Sequence, residues 1–310
     1  MNSKPTISVV MGVYNGGEYL RGTIDSILGQ TFTGFEFIIV NDGSTDNTGS
    51  ILQEYAKKDQ RIKVIRQENQ GLTKALIAGC RLAQGEYIAR QDCGDISRPG
   101  RLAKQLEHIN ADKNRVLVSC LVNFFGPGGE FLFTTSPDHR DASAQNSLLN
   151  AGLDGIRGIG WHGTAFFPAE VYRKAGEYRP EFYFAQDLDL WVRLIKQGNV
   201  SFCPEALYEA SLGEDQISGV YRKEQLALTS IIVALRDLEP KDSEYSQLLR
   251  KAGLIRPKGK NKASWLRKSQ QLYFLGRCLK SQGNQGYRHY LQECVKLNPF
   301  HIKAWISLIT

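Results

Sequence analysis

The chain has 310 residues, 42% hydrophobic and 23% charged, enough apolar material for a sizeable core, which excludes a disordered tail or a disulfide-stapled miniprotein. Its 39 Lys+Arg against 32 Asp+Glu give a net charge of +7, a balance compatible with nucleic acid or an anionic membrane as partner. The charge is unevenly placed: residues 221–310 hold 17 basic and 6 acidic residues, a net of +11, leaving −4 on residues 1–220.

The first ninety residues alternate short β-rich runs with helical patterns. Thr6–Val13 (TISVVMGV), Phe35–Val40 (FEFIIV), Ile62–Arg66 and Glu86–Arg90 read as strands, the first two almost wholly apolar, as buried parallel strands are. Gly17–Leu28, Thr48–Lys57 and Leu72–Ala83 carry apolar residues at helical spacing, so the expected class is α/β with a mostly parallel sheet. Ligands of such sheets sit beyond the C-terminal strand ends, which directs attention to the segments after Val13, Val40 and Arg90. From Pro99 a helix is expected to about Asp112, then strands at Val116–Phe125, Phe131–Thr134 and Trp161–Phe167, and helices at Pro168–Lys174 and Gln186–Lys196. After Leu207 the remainder reads as mainly helical, with a basic Pro/Gly-containing linker at Arg250–Lys262 and tail helices at Ala263–Lys280, Gln285–Lys296 and Pro299–Leu308. Cys294–Trp305 (CVKLNPFHIKAW) resembles a junction of tetratricopeptide repeats, and so short an array is expected to pack on the preceding α/β body or on another chain. The six cysteines stand singly, with no CxxC pair, and read as buried thiols. No run of about 18 apolar residues and no leader pattern occurs, so the expected location is cytoplasmic, with peripheral attachment to a membrane left open.

An acidic residue closing a second parallel strand, here Asp42, can accept from a base edge or a ribose hydroxyl, or can close the strand as an Asx-turn. The glycine-rich GxGxxG fingerprint is absent. Pro5–Phe32 (PTISVVMGVYNGGEYLRGTIDSILGQTF) and Phe35–Thr48 (FEFIIVNDGSTDNT) resemble, almost position for position, the family 2 glycosyltransferases of the GT-A fold. Gln70–Ala78, Ala83–Arg90 and Asp92–Arg101 continue the match, which extends to about residue 215. The resemblance implies a nucleotide-diphosphate sugar donor, UDP-linked first, and inverting transfer to a glycan, polysaccharide or lipid-linked acceptor. It places Val13, Tyr14, Asn15, Glu18, Asp42, Lys74, Arg90 and Asp92 around the nucleotide sugar. Asp46 reads as a helix cap, and Gln30 and Thr31 as a helix C-terminus.

The family's D-A-D-D motif stands here as Asp92-Cys93-Gly94-Asp95. Gly94 removes a carboxylate that would serve Mg²⁺ or Mn²⁺; Asp92 with Asp95 is the substitute pair, and Lys74 and Arg90 are the cations that would meet the leaving diphosphate without a metal. The family's base position falls on Asp187 in FAQDLDLWVRL, whose other reading is a first-turn carboxylate on the helix dipole. His162, Trp161, Gln186 and Trp191 are the residues expected near the acceptor or donor sugar. The resulting organisation is a GT-A domain at 1–220 (nucleotide-sugar half 1–97, acceptor half 98–220), a helical connector and linker at 221–262 and a helical tail at 263–310. The basic tail is expected to meet an anionic membrane or a protein; nucleic acid is excluded by the lack of any recognisable binding pattern. The competing function is a non-catalytic module that keeps the fold and binds partners.

Overall fold

The computed structural model of the protein describes residues 4–135, 160–212, 221–257 and 265–310. The first half is β1 (Ile7–Val13), α1 (Leu20–Leu28), β2 (Phe35–Asp42), α2 (Thr48–Lys58), β3 (Ile62–Gln67), α3 (Leu72–Arg81) and β4 (Tyr87–Arg90). β1 lies parallel between β2 and β4, and β3 extends the sheet beyond β2. Successive residues of β1 serve two different cores: Val9 and Met11 pack with Leu20, Ile24 and Ile27 of α1, whereas Val10 packs with Leu76 and Ile77 of α3. Helices on both faces explain why all of β2 is buried and why its sequence is so apolar.

The second half contains β5 (Ile96–Ser97), α4 (Arg101–Asn110), β6 (Arg115–Phe125), β7 (Phe131–Thr134), β8 (Phe166–Pro168), α5 (Ala169–Lys174), α6 (Gln186–Ile195) and β9 (Asn199–Ser211). The sheet runs β3-β2-β1-β4-β8-β6-β9-β5, with β7 paired to β6. This is the expected α/β class, with two local corrections. The strand expected over Trp161–Phe167 begins only at Phe166, because Thr164 donates through both its amide and its hydroxyl to Trp161 O and closes a 3₁₀ turn at His162–Thr164. Residues after Leu207, expected to be helical, complete β9. That strand hid behind Pro204 and Glu205, which bulge where Cys203 pairs Cys120 and Ala206 pairs Leu121.

α7 (Arg222–Arg236) and α8 (Ser243–Leu254) close the second core, burying Leu228, Ile232, Leu235 and Ala252 beside Leu190 and Trp191. The expected linker therefore loses its first part: Arg250–Leu254 end α8, and Arg256 donates to Glu181 O at 3.2 Å. Residues 258–262 lie outside the described residues. The tail forms α9 (Trp265–Ser281), α10 (Tyr287–Leu297) and α11 (Ile302–Ile309). It packs on the body through Leu275 and Leu279 in the first core, the edge-on Phe133–Phe274 pair and a 2.6 Å bond from Tyr290 OH to Glu130. α11 starts later than expected because His301 caps it, Nδ1 accepting from Ala304 N at 3.2 Å.

Candidate active site

Four loops meet at the C-terminal edge of the parallel strands. After β1, Asn15 adopts a left-handed conformation (φ 51°) and is tied to the loop after β2: its amide donates to Ser44 Oγ at 3.0 Å, and its side-chain oxygen accepts from Thr45 N at 2.8 Å. Asp46 joins the same two loops, accepting from Gly17 N and from Thr48 N at the start of α2. A hydrogen bond from the Thr48 side chain foremost, with these backbone bonds adding to it, holds its carboxyl below the usual carboxylate range against the opposing effect of burial. Asp46, expected to be the cap, stands one residue before the N-cap Asn47 and closes an Asx-turn onto Thr48 N, while Asn15 is occupied in joining the loops. Val13 is buried beneath them, and Tyr14 and Glu18 stand exposed at the rim.

Asp42 is 3% exposed and clamps the loop leading into α3: it accepts from Gln67 Nε2 at 2.6 Å and Gln70 N at 3.0 Å on Oδ1 and from Gly71 N at 2.8 Å on Oδ2, and it forms no Asx-turn. That loop packs in turn against the segment before α6, Thr73 Oγ1 donating to Phe182 O at 2.6 Å. Gly71 has φ +88°, and a Cβ there would lie 2.5 Å from the Tyr183 ring. Gly71→Ala is therefore expected to lower stability by about 1–3 kcal/mol through left-handed strain and overpacking, a loss read from urea unfolding midpoints. Lys74, exposed one turn along α3, donates to Gln70 Oε1 at 3.2 Å. A cleft of about 380 Å³ opens to one side, lined by Asn41, Ser44, Asp46, Ser50, Arg66 and Gln67, and holds neither Asp92 nor Asp187.

At the end of β4, Arg90 is completely buried. Its Nη1 donates to Val10 O and Gln91 O at 2.8 Å each, Nη2 pairs with Asp92, and Nε approaches His162 Nε2 at 3.4 Å. His162 Nε2 also meets Tyr178 OH at 2.8 Å, and burial, with Arg90 adding to it, pushes the imidazole well below its usual range, toward the neutral ring. The expected cation site fares poorly. One oxygen of Asp92 is held by Arg90, Gly94 offers no ligand, and Asp95 is largely enclosed. Burial first and the Asp92 charge second push the Asp95 carboxyl up, against opposing hydrogen bonds from Tyr208 and Trp161, which favours the neutral acid. Among the described residues no group of three His, Cys, Asp or Glu converges, so a hard cation here would draw most of its oxygen ligands from a donor diphosphate and water, with Asp92's free oxygen as the protein ligand.

Asp187 stands in the first turn of α6, its Oδ1 accepting from Leu188 N at 2.9 Å. Burial pushes its pKa up; backbone hydrogen bonds oppose the shift, Asp92 reinforces it and Arg90 opposes it. The fold has therefore brought Asp187 within electrostatic reach of the Arg90–Asp92 pair. Ala185, immediately before the helix, is left-handed at φ 56°, so two of the three described non-glycine residues with positive φ border this site, the other being Asn15. Asp189, two residues on in the same first turn, is spent on Arg193 at 2.6 Å and Arg179 at 3.4 Å, anchoring α6.

The remaining expected site residues divide. Trp161 is partly buried and edge-on to Phe124, with its indole N–H toward the Asp95 carboxyl. Gln186 is 8% and Trp191 2% exposed; Trp191 sits in the core beside Phe167 and His162 rather than presenting a ring to a sugar. Sequence reading missed Tyr178, whose hydroxyl fixes His162, Tyr208, whose oxygen accepts from Asp92 N at 3.1 Å, and the buried Arg101, which donates to Gly163 O at 3.3 Å. A signal existed for Arg101 alone: it falls on the apolar face of a helix, beside Leu102 and Gln105. Gln30, read as a helix end, stitches α1 to the turn before α4, donating to Arg98 O and accepting from Leu102 N.

Solved structures resemble nearly the whole chain. Among them are S. aureus TarS 1–349 in complex with UDP (TM-score 0.59, 20% identity, 98% of this chain and 88% of that one) and the mannosyltransferase PcManGT of Pyrobaculum calidifontis in complex with GDP-Man and Mn²⁺ (TM-score 0.56, 16%, 99% and 88%). At those identities they show a shared fold. An uncharacterized glycosyltransferase of Haemophilus influenzae is 31% identical over 235 residues, 73% of this chain and 71% of the relative, and one of Rickettsia typhi is 29% identical over 249 residues, 80% and 72%. The model of glycosyl transferase family 2 matches residues 8–176, more than half of the sequence and all of the strand-end loops just described, and the chain belongs to that family.

Proposed function

We propose that this glycosyltransferase moves a hexosyl or N-acetylhexosaminyl group, with inversion, from a nucleotide-diphosphate sugar to a hydroxyl of a glycan, polysaccharide or lipid-linked acceptor. The observation that carries the reading is Asp187: a carboxylate made more basic by its surroundings, at a helix N-terminus, beside a buried arginine network at the C-terminal edge of the sheet. An alcohol becomes an adequate nucleophile as its proton leaves. Asp187 takes that proton while the acceptor oxygen bonds to the anomeric carbon, and the bond to the diphosphate breaks on the opposite side, releasing the nucleoside diphosphate. Tyr14 and Glu18 at the rim, with Asp92, face the nucleotide sugar; Asn15 and Asp42 shape the loops that receive it. Lys74, exposed at the start of α3, meets diphosphate charge, while Arg90 is fully engaged and acts by positioning Asp92.

UDP is the first donor nucleotide to test, since a structural neighbour is in complex with it. PcManGT is in complex with Mn²⁺; in this chain the Asp92–Gly94–Asp95 loop leads to the reading that donor binding does not depend on a cation. Calorimetric titration of UDP-, GDP- and TDP-sugars with Mn²⁺ or with EDTA, with sugar release followed in parallel, is expected to give binding that differs less than about tenfold between the two conditions. Binding in Mn²⁺ alone overturns the cation reading, and no binding in either overturns the donor reading. The degenerate loop also favours a second reading, a nucleotide-sugar-binding module without turnover, and binding with no release under any condition selects it.

A further inference from the structure

Helix α11 is apolar on two opposite faces. Ala304, Ser307 and Leu308 turn inward, with Ala304 and Leu308 joining the small core of Leu291, Cys294 and Val295. Ile302, Trp305, Ile306 and Ile309, spaced three and four residues apart, turn outward, with exposures of 71%, 45%, 55% and 83%, and Phe300 beside them is 88% exposed. A helix of this kind normally has both faces covered. The ring of Trp305 is held in place by a 2.9 Å bond from its N–H to Pro299 O, so the face is ordered rather than frayed.

The surroundings of this face say what covers it. Residues 265–310 carry seven Lys or Arg (267, 268, 277, 280, 288, 296 and 303) and one acidic residue, Glu293, which is already paired to Lys296 at 2.6 Å. Lys303 flanks Ile306 on α11 itself, and Lys280 reaches the C-terminal end of the helix, donating to Ser307 O at 2.7 Å. A second copy would bring another strongly basic tail against this one, a like-charge encounter. A surface offering both anionic groups and an apolar layer matches both properties at once.

We propose that the outward face of α11 docks on an anionic lipid bilayer, with Phe300, Ile302, Trp305, Ile306 and Ile309 entering the boundary between headgroups and acyl chains while the basic residues of the tail meet lipid phosphates. The helix, about 12 Å long, lies in the interface plane and does not span it. No described helix is long and apolar enough to cross a membrane. The docking stands independently of the donor reading.

The test is flotation of the full chain with vesicles of phosphatidylcholine alone, and with vesicles of two parts phosphatidylcholine to one part phosphatidylglycerol. Partition is expected to be at least about tenfold stronger on the anionic vesicles and to fall as salt is raised. The triple change Ile302→Ser, Ile306→Ser and Ile309→Ser is expected to lose about tenfold or more of that partition with an unchanged melting curve, because the altered side chains are exposed. Lys303→Gln is expected to lose about fivefold. Lipids brominated in the acyl chain are expected to quench emission that Trp305→Phe removes. Equal partition on both vesicles, or an unchanged triple variant, overturns the proposal. So does a chain that dimerises without binding vesicles and becomes monomeric in the triple variant, which assigns the face to a second copy.

Discussion

Asp187→Asn is expected to lower the rate of sugar transfer by about 10²–10⁴-fold while leaving donor affinity within a few-fold of the parent. The amide keeps the shape of the side chain but cannot take the acceptor's proton. The same substitution is expected to stabilise the fold at neutral pH, and the sign follows from burial. The folded state raises the pKa of Asp187, so between its unfolded and folded values the native protein binds the extra proton. Its ionisation therefore weakens the fold as pH rises through that window, and the cost remains fully present above it. The substituted amide carries no such cost, so thermal melts of the two proteins are expected to diverge as pH rises above about 4 and to converge below it. In the parent, turnover is expected to fall as the pH drops toward the raised pKa and protonates the base. Unchanged turnover in the variant places the base elsewhere.

Arg90→Leu is expected to have the largest effect on stability of any change at the site. It strips hydrogen bonds from Val10 O and Gln91 O, both on buried residues, and leaves Asp92 without its cation. Breaking a buried pair this way costs about 3–5 kcal/mol; the lower end applies because Asp92 keeps 29% side-chain exposure, and the melting temperature is expected to drop by roughly 10 °C. Arg90→Lys is expected to recover little, since one ammonium cannot span two carbonyls, a carboxylate and an imidazole. Adding Asp92→Asn to Arg90→Leu is expected to restore part of the loss by removing the orphaned charge. A drop under about 1 kcal/mol in urea unfolding shows that the guanidinium contributes little to the fold.

Much of the donor half was legible because its signals are local. TISVVMGV and FEFIIV are apolar on both faces, and only strands with helices above and below need that. The loop motifs after Val13 and Val40 announce themselves through short polar side chains suited to bonding backbone amides; the structure shows Ser44, Asp46 and Thr48 using them across to the backbone of the first loop. The roles of Asp42 and Asn15 were less legible. An aspartate at a strand end has the same local sequence whether it meets a ligand or clamps a loop, and the choice rests on where Gln67, Gln70 and Gly71 return in space. β9 escaped notice because its pairing with β6 tolerates a bulge at Pro204 and Glu205, and a partner strand so far back in the chain leaves no local trace.

The sequence by itself determined the α/β class, the family, the identity of the chemistry-bearing loops and the separation of a mildly acidic body from a basic tail. Periodicity, strand-end chemistry and charge are all properties of residues close in the chain. Tertiary structure alone decided that Arg90 is locked into Asp92 and His162, that Asp187 joins that group, that Trp191 is core, and that one apolar face of α11 remains open. Each of these depends on contacts between segments remote in sequence, and burial, which sets both the basicity of a carboxylate and the accessibility of a side chain, exists only once those segments have packed.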